Sequence, residues 1–182
     1  ADNSYDTLKT YLACLVAKHP VILLSSSLSD DVVQQLIATY QPNWLFRPHQ
    51  APVQLTAKQH HFADELAVML TTSGSTGNAK LVRLSETNLA ANAHSICQYL
   101  SMKSEDRALT ALPFAYSYGL SVINSHLLCG ASITMTNDGP LEHGFWQLLK
   151  TQPITQLTGV PYSYQIYDQL RLRRQKWPHL RI

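Results

Sequence analysis

Short apolar runs alternate with amphipathic segments along most of this chain, and this alternation restricts the possible folds more than any other feature. The apolar runs, which predict buried strands, are 21–25, 44–46, 66–72, 108–112, 131–136 and 154–160. Segments with apolar residues at helical spacing begin near residues 5, 29, 85, 119, 145 and 161. Such alternation is typical of an α/β fold with a mostly parallel sheet flanked by helices. We therefore predict this fold for residues 1–182, with residues 47–63 as a connecting loop.

The charge of the chain argues against two classes of protein. Charged residues make up 14% of the sequence, well below the usual quarter or so, and the formal net charge is only +2. The basic cluster near the end, with Arg171, Arg174 and Lys176 on one side of a predicted helix, is typical of a solvated face rather than a nucleic-acid site. No run of 18 apolar residues predicts a membrane span. A chain so poor in charge suggests surfaces that are normally covered, by a partner or by further parts of a longer polypeptide, and through which the isolated fragment would self-associate.

Cysteine and histidine spacing predicts neither disulfides nor a metal site. Cys14, Cys97 and Cys129 are far apart, and no CxxC motif occurs. We expect each to be a small buried thiol, which fits a reducing, cytoplasmic compartment. No histidine lies at a metal-ligand spacing from a cysteine or an acid, and His126, which follows an apolar helical segment, is expected in the core.

The stretch TTSGSTGNAK (71–80) has the composition of a phosphate-binding loop. Its glycines allow successive backbone N–H groups to turn inward and form an anion-binding concavity, to which the hydroxyls and a terminal lysine add donors and charge. Lys80 does not follow a glycine directly, so the motif is not a Walker A loop, and a flexible Ser/Gly turn is the alternative. The predicted binding residues are Thr72, Ser73, Gly74, Ser75, Thr76, Gly77 and Lys80.

This loop resembles the phosphate-loop signature of the adenylate-forming superfamily, usually written YTSGSTGxPKGV. SETNLAAN (85–92) resembles its SHxNLxAN continuation, whereas Ala79 and Leu81 depart from the usual Pro and Gly. Further segments resemble other parts of the same family: ALPFAYSYGL (111–120), LLCGASITMT (127–136), ITQLTGVPYSYQIY (154–167) and WPHLRI (177–182). The chain is therefore identified as similar to acyl-CoA synthetases and acyl-AMP ligases, as an N-terminal fragment.

The resemblance implies a fold, a reaction and its participants. Residues 1–182 would be a single partial domain, part of the large N-terminal domain of an adenylate-forming enzyme. The full-length enzyme would be an ATP- and Mg²⁺-dependent ligase that converts a carboxylic acid to an acyl-adenylate. The acyl group would then pass to the thiol of CoA or of a phosphopantetheine carrier protein. Tyr116, where many members have His, and Gly159 would line the acyl pocket.

The same resemblance limits what this chain is expected to do by itself. We assign no catalytic residue to it, because the adenine, ribose and lid motifs of the family lie further along, and we expect it to be inactive alone. Tyr118, Tyr162 and Tyr164 are further residues that would surround an acyl chain, although aromatics at such positions are more often core. No acid occurs between Arg107 and Asp138, which disfavours an amino-acid substrate.

Two other classes of function stay open from the sequence. One is a non-catalytic module derived from this fold that binds a nucleotide or a protein partner. The departures from the family signature at Ala79 and Leu81 are the reason to consider it. The other is a purely structural α/β domain, which would not respond to phosphate or ATP.

Overall fold

The computed structural model of the protein describes residues 1–72 and 80–181, and the chain divides into two compact units, Ala1–Asn88 and Leu89–Ile182. The first elements along the chain are α1 (Tyr5–Val16), β1 (Val21–Leu23), α2 (Asp30–Tyr40), β2 (Trp44–Leu45), β3 (Val53–Gln54), β4 (Leu66–Thr71) and β5 (Leu81–Ser85). The later ones are α3 (Glu86–Tyr99), β6 (Arg107–Thr110), α4 (Ser117–Leu128), β7 (Ser132–Met135), α5 (His143–Thr151), β8 (Gln156–Leu157), α6 (Pro161–Gln169) and a 3₁₀ turn (Leu172–Arg174). The predicted alternation of helices and strands is confirmed.

In the first unit, β4 is the central strand of a sheet with the order β1-β4-β5. β1 runs parallel to β4, with Val21 opposite Val68. Four consecutive β4 residues, 67–70, are buried, and Val68 has no exposed surface. A strand covered on both faces has no polar alternation, because neither face meets water. This explains why the run 66–72 is apolar throughout.

The two helices of the first unit begin where the sequence predicts them. At the start of α1, the Thr7 backbone N–H donates to Ser4 Oγ at 3.2 Å, which satisfies one of the free donors of the first turn. Tyr11 then faces inward and is 1% exposed. α2 carries Asp30 and Asp31 in its first turn, where negative charge is favourable. These local signals depend on neighbouring residues alone, so the sequence was sufficient to locate both helix starts.

Two strands of the first unit were not predicted. β5 forms an antiparallel pair with β4 in which Thr71 is opposite Leu81, so a strand stands between the Ser/Gly loop and α3. β3, which lies inside the segment 47–63 that was predicted as a connecting loop, pairs antiparallel with β2. The prediction of a helix soon after the loop therefore omitted a strand. Both strands are short, and their pairing with a partner strand, rather than their own apolar pattern, defines them.

The second unit is built on a three-stranded parallel sheet with the order β7-β6-β8. The central strand is the most buried, and Ala108 and Leu109 have no exposed surface. A core cluster packs β6 against helices α5 and α6. Its buried members are Leu109, Phe145, Leu149, Ile154 and Tyr167. The Phe145 and Tyr167 rings stack with their centroids 6.0 Å apart. This sheet is the purely parallel arrangement that the alternation of elements predicts.

The last predicted helix is shorter than expected. α6 ends at Gln169, and Arg171 adopts a left-handed backbone conformation with φ of 56° before the 3₁₀ turn. The predicted stripe of Arg171, Arg174 and Lys176 on one helical face is therefore wrong. The strand predicted for 154–160 likewise contracts to Gln156–Leu157. None of the helices in the described residues is long and apolar enough to cross a membrane.

The cysteines are less buried than predicted. Cys14, Cys97 and Cys129 are free thiols, and each is only half-buried. Apolar neighbours in the sequence do not determine burial by themselves, because Cys97 and Cys129 lie near the ends of helices α3 and α4. The expectation of fully buried thiols is therefore wrong in degree.

His126 lies in the core, as predicted. Its side chain is 2% exposed, and Nδ1 is 2.7 Å from the Val122 carbonyl oxygen, to which it donates in the neutral tautomer that this contact requires. Nε2 has no hydrogen-bond partner among the described residues, although the Gln156 side chain is near enough to favour protonation. Burial is the dominant effect and lowers the pKa of His126 below its usual 6.5.

We expect this histidine to make the chain less stable in mild acid. A histidine held neutral in the fold binds fewer protons than the unfolded chain, so the free energy of unfolding decreases as the pH falls below about 6.5. One such group changes that free energy by at most about 1.4 kcal/mol per pH unit. Between pH 7 and pH 5, the free energy of unfolding measured with urea should decrease less for His126→Gln than for the wild type. His143→Gln, at an exposed histidine, is the control, and an equal change in both variants would contradict the assignment.

Candidate functional site

Both ends of the Ser/Gly loop are held by the β4–β5 hairpin. The Thr72 backbone N–H donates to the Lys80 carbonyl oxygen at 3.0 Å, directly beyond the pair formed by Thr71 and Leu81. The loop between them lies outside the described residues, and with it the predicted contributions of Ser73, Gly74, Ser75, Thr76 and Gly77. The hairpin therefore fixes where the loop leaves the sheet and where it returns.

The loop starts at the carboxyl end of a strand in a parallel pair. β1 and β4 run in the same direction, with Leu23 opposite Leu70, so the chain leaves both strands at one edge of the sheet. Ligands of open α/β sheets bind outside the carboxyl ends of parallel strands, where loops rather than side-chain layers meet the solvent. The position of the hairpin is thus compatible with a binding loop.

Lys80 has the properties of a free cation. Its side chain is exposed, and among the described residues it forms no ion pair. The Thr72 hydroxyl, also exposed, makes a long hydrogen bond of 3.4 Å to the Lys80 carbonyl oxygen. An ammonium group and a weakly engaged hydroxyl at the two ends of the loop are suitable donors for an anionic ligand.

The other two predicted residues meet at the carboxyl edge of the second sheet. Tyr116 caps the amino end of α4, shortly after β6, and is 51% exposed. Gly159 is buried between β8 and α6. Because β6 and β8 are paired in parallel, the segments that follow them lie along the same edge of the sheet. The structure thus brings Tyr116 and Gly159 to one edge, as a shared pocket would require.

Tyrosines other than Tyr116 converge at this edge. The Tyr164 and Tyr167 rings meet edge to face at 5.6 Å, and the Tyr167 hydroxyl donates to the Thr158 carbonyl oxygen at 3.3 Å. Burial raises the pKa of both phenols, and the nearby Tyr118 hydroxyl adds to each increase. These hydroxyls therefore stay protonated and neutral at physiological pH. Tyr164 is still 53% exposed overall, and Tyr162 is 64% exposed.

Sequence reasoning did not identify Tyr167 as part of this group. It lies three residues after Tyr164 on α6, a spacing that places two side chains on the same helical face. That spacing was the available signal. What the sequence alone did not reveal is that Tyr118, which belongs to another helix, is near enough to raise the pKa of both phenols.

Glycine is required at position 159 by close packing. A Cβ atom there would lie 2.7 Å from Ser163 Cβ, in the first turn of α6. We expect Gly159→Ala to lower the free energy of unfolding by about 1 kcal/mol, since overpacking of this kind forces a local shift. A double-mutant cycle with Ser163→Gly, measured by urea unfolding, checks the cause. Gly159→Ala should lower the free energy of unfolding less in the Ser163→Gly background than in the wild type. Equal decreases in both backgrounds would exclude this contact as the cause.

A separate cavity of about 250 Å³ lies away from these residues. It is formed by the end of α5 and the last segment of the chain, with Thr151, Ile154, Lys176 and Trp177 among its lining residues. Ile154 precedes β8, so this cavity is at the amino end of the strand rather than at the carboxyl end. Within the described residues no group of three or more His, Cys, Asp or Glu side chains is placed to hold a metal ion.

Comparison with known proteins identifies one family that covers both the β4–β5 hairpin and the edge with Tyr116 and Gly159. The sequence profile described as "AMP-binding enzyme" matches residues 1–181. The oxalate–CoA ligase of Arabidopsis thaliana is 32% identical over 105 residues, which is 57% of this chain and 20% of that protein. The profile match includes the Ser/Gly loop and the segments that carry Tyr116 and Gly159.

Solved structures share the fold. The o-succinylbenzoate CoA synthetase of Bacillus subtilis, solved with an acyl-adenylate, has a TM-score of 0.78 at 18% identity, covering 99% of this chain and 52% of that one. The same synthetase has also been solved with ATP and magnesium, with a TM-score of 0.75 at 19% identity and coverage of 99% and 53%. MatB of Rhodopseudomonas palustris has a TM-score of 0.78 at 23% identity, with coverage of 100% and 42%. The chain thus spans about half of the synthetase and a fifth of the curated ligase.

Proposed function

Because this chain belongs to the AMP-binding enzyme family, we propose that it supplies the nucleotide-phosphate loop and one wall of the acyl pocket to an ATP-dependent acid–thiol ligase. Such a ligase joins a carboxylic acid to AMP with release of pyrophosphate, and then transfers the acyl group to the thiol of CoA or of a carrier protein. The observation that carries the proposal is the hairpin closed by Thr72 and Lys80, which presents a Ser/Gly-rich loop at the carboxyl edge of a parallel strand pair.

In the first half-reaction, which forms the acyl-adenylate, residues of this chain would stabilise negative charge on the phosphates. Negative charge builds on the polyphosphate as the carboxylate attacks, so a fixed set of donors aimed at it lowers the barrier. Lys80 is the cation of the set, and the loop amides and hydroxyls would surround the phosphate oxygens. Mg²⁺ would enter with the nucleotide as MgATP, and no described residue of this chain is assigned to hold it.

The tyrosine-lined edge would form part of the acyl pocket. Tyr116 is exposed beside the carboxyl end of β6, and Gly159 keeps the start of α6 close to β8. A tyrosine at position 116 offers a neutral hydroxyl and a flat ring, where many family members have His. We propose a carboxylic acid without a positively charged amino group, because this edge contains no acid between Arg107 and Asp138.

The second candidate function is a module that binds a nucleotide or a protein partner without chemistry. Its support is the departure from the family signature at Ala79 and Leu81. Leu81 is accommodated as a half-buried residue of β5, paired with Thr71, so the bulky side chain is compatible with the hairpin. That pairing removes Leu81 as an argument for the module and leaves Ala79 as its remaining support.

Phosphate binding is the first test, and it uses the chain as it is. Backbone amide spectra should be recorded during a titration with MgATP and, separately, with inorganic tripolyphosphate. We expect weak binding, with shifts concentrated at Thr72, Lys80 and Leu81, and their loss in Lys80→Gln. Shifts centred on the basic segment around Arg173 would contradict the proposal, and so would no response to either ligand.

Pyrophosphate release is the second test and separates the ligase from the module. We expect no release by this chain alone with a panel of carboxylic acids, because the described residues provide only one side of a site. We expect acid-dependent release when the chain is joined to the remaining segments of a family ligase. Release by the chain alone would show that the site is complete within it, and no release from the completed protein would favour the module.

A further inference from the structure

Two of the three cysteines meet at a single backbone carbonyl. Cys97 lies in the last turn of α3, and its thiol donates to the Ser125 carbonyl oxygen at 3.2 Å. Cys129 caps the carboxyl end of α4, and its backbone N–H donates to the same oxygen at 3.1 Å. The two residues are separated by an intervening strand in the sequence, yet the packing of two helices brings them to one point.

The Cys129 side chain is near enough to affect Cys97. Burial raises the pKa of Cys97 to about 11, and the neighbouring Cys129 thiol adds to the increase. For Cys14, on α1, burial is the one cause of its raised pKa. The chain therefore contains one pair of neighbouring thiols and one separate thiol. Cys97 and Cys129 are half-buried rather than enclosed, so small reagents have access from solvent.

We propose that Cys97 and Cys129 form a reversible dithiol site that closes to an intrachain disulfide on reaction with a small-molecule disulfide such as oxidised glutathione. The Cys129 thiolate attacks one sulfur of the reagent, and one glutathione leaves as its thiolate. Cys97, after losing its proton to water, attacks the Cys129 sulfur of the mixed disulfide and releases the second glutathione. Two protein thiols are oxidised, and one glutathione disulfide is reduced to two glutathione molecules.

The raised pKa of Cys97 assigns it to the second attack. Thiolates rather than thiols are the nucleophiles of exchange. A pKa of about 11 leaves very little Cys97 ionised near neutral pH, so Cys97 is the thiol that needs a neighbouring target rather than a reagent in solution. The second attack takes place between neighbouring side chains, where proximity compensates for the small thiolate fraction.

The bond would join the end of α3 to the end of α4. α4 is the helix whose amino end carries Tyr116, so oxidation would restrain the helix next to the proposed acyl pocket. A crosslink also reduces the freedom of the unfolded chain, so the thermal midpoint should rise on oxidation. This site is independent of the proposed ligase function and can be tested in its absence.

Peptide mapping of the folded chain tests the proposal directly. After treatment with oxidised glutathione and an acid quench, the remaining thiols are alkylated and the chain is digested with trypsin. The enzyme separates Cys97, in residues 84–103, from Cys129, in residues 108–150. We expect one crosslinked pair of these peptides with two hydrogen atoms fewer, a decrease in free thiols from three to one, and recovery of all three with dithiothreitol.

Single substitutions identify the partners. Cys14→Ser should leave the crosslink intact, whereas Cys97→Ser and Cys129→Ser should each abolish it. The wild-type map stands by itself if a variant fails to fold. The proposal is overturned if the folded chain yields only mixed disulfides with glutathione. It is equally overturned if Cys14 pairs with either cysteine as readily as they pair with each other, or if the same yield is obtained in guanidinium.

Discussion

Replacing Lys80 with glutamine is expected to lower the rate of pyrophosphate release at least about 100-fold when the chain is joined to the remaining segments of a family ligase. Loss of one donor aimed at developing charge typically costs 10²–10³ in rate, or about 2.7–4 kcal/mol. Lys80 is exposed and forms no ion pair with any described residue, so its charge is available to a ligand. Glutamine keeps a polar side chain, one atom shorter than that of lysine, but removes that charge. The measurement is steady-state pyrophosphate release at saturating acid, with MgATP varied.

The matched control is Lys103→Gln, at an exposed lysine that lies between α3 and β6. It makes the same change in net charge, and we expect less than a twofold effect. Urea unfolding of the chain should show both variants within about 0.5 kcal/mol of the wild type, as is usual for surface substitutions. If Lys80→Gln keeps the wild-type rate, the loop does not hold the nucleotide through this residue, and the proposed function fails at its central step.

Gly119→Ala is expected to cost the most stability of any single methyl added to this chain's described glycines. A Cβ at Gly119 would lie 2.3 Å from the Pro113 carbonyl oxygen and 2.9 Å from that of Leu112. Alanine favours a helix by about 1 kcal/mol over glycine, whereas overpacking costs about 1–3 kcal/mol and more when backbone is the obstacle. The clash therefore wins, and we expect the free energy of unfolding to fall by about 2 kcal/mol. Urea unfolding measures this change.

The same substitution should disturb the tyrosine-lined edge, because the backbone that the added methyl group meets leads into Tyr116. The Tyr116 backbone N–H donates to the Pro113 carbonyl oxygen at 2.9 Å, so displacement of that carbonyl displaces the residue. Gly139→Ala is the control, since a Cβ there has no neighbour within 4 Å and its φ is not positive. If Gly119→Ala is as stable as Gly139→Ala and leaves the amide resonance of Tyr116 unchanged, the contact does not hold the turn in place.

Local signals in the sequence were sufficient for most elements. Helix starts with a capping serine or acidic first turn, such as Ser4 and Asp30, were located correctly, as was the buried strand β4. The helix after Pro161 was also correct in its start, but its end was not. Nothing in the residues before Arg171 forbids another helical turn, and the left-handed conformation at that position ends it. Helix ends of this kind depend on what the following segment packs against.

The predicted sites could be located only in part. The position of the Ser/Gly loop after β4 was recognised from composition and motif, because glycine and hydroxyl residues before a lysine are a local pattern. β5 was missed because its five residues become a strand only by pairing with β4. Tyr116 and Gly159 were named through their resemblance to family segments. Their meeting at one edge depends on the parallel pairing of β6 with β8, which brings together residues more than 40 positions apart in the sequence.

The amino-acid sequence by itself determined the alternation of helices and strands, the position of the Ser/Gly loop and the family to which the chain belongs. Each of these depends on residues that are neighbours along the chain. Only the tertiary structure decided which strands pair, which tyrosines lie along one edge, and that Cys97 and Cys129 donate to the same backbone carbonyl. Apolar periodicity shows that a face will be buried but does not specify its partner. The partner is selected by the packing of segments that are distant in sequence, and packing is therefore what assembles the candidate sites.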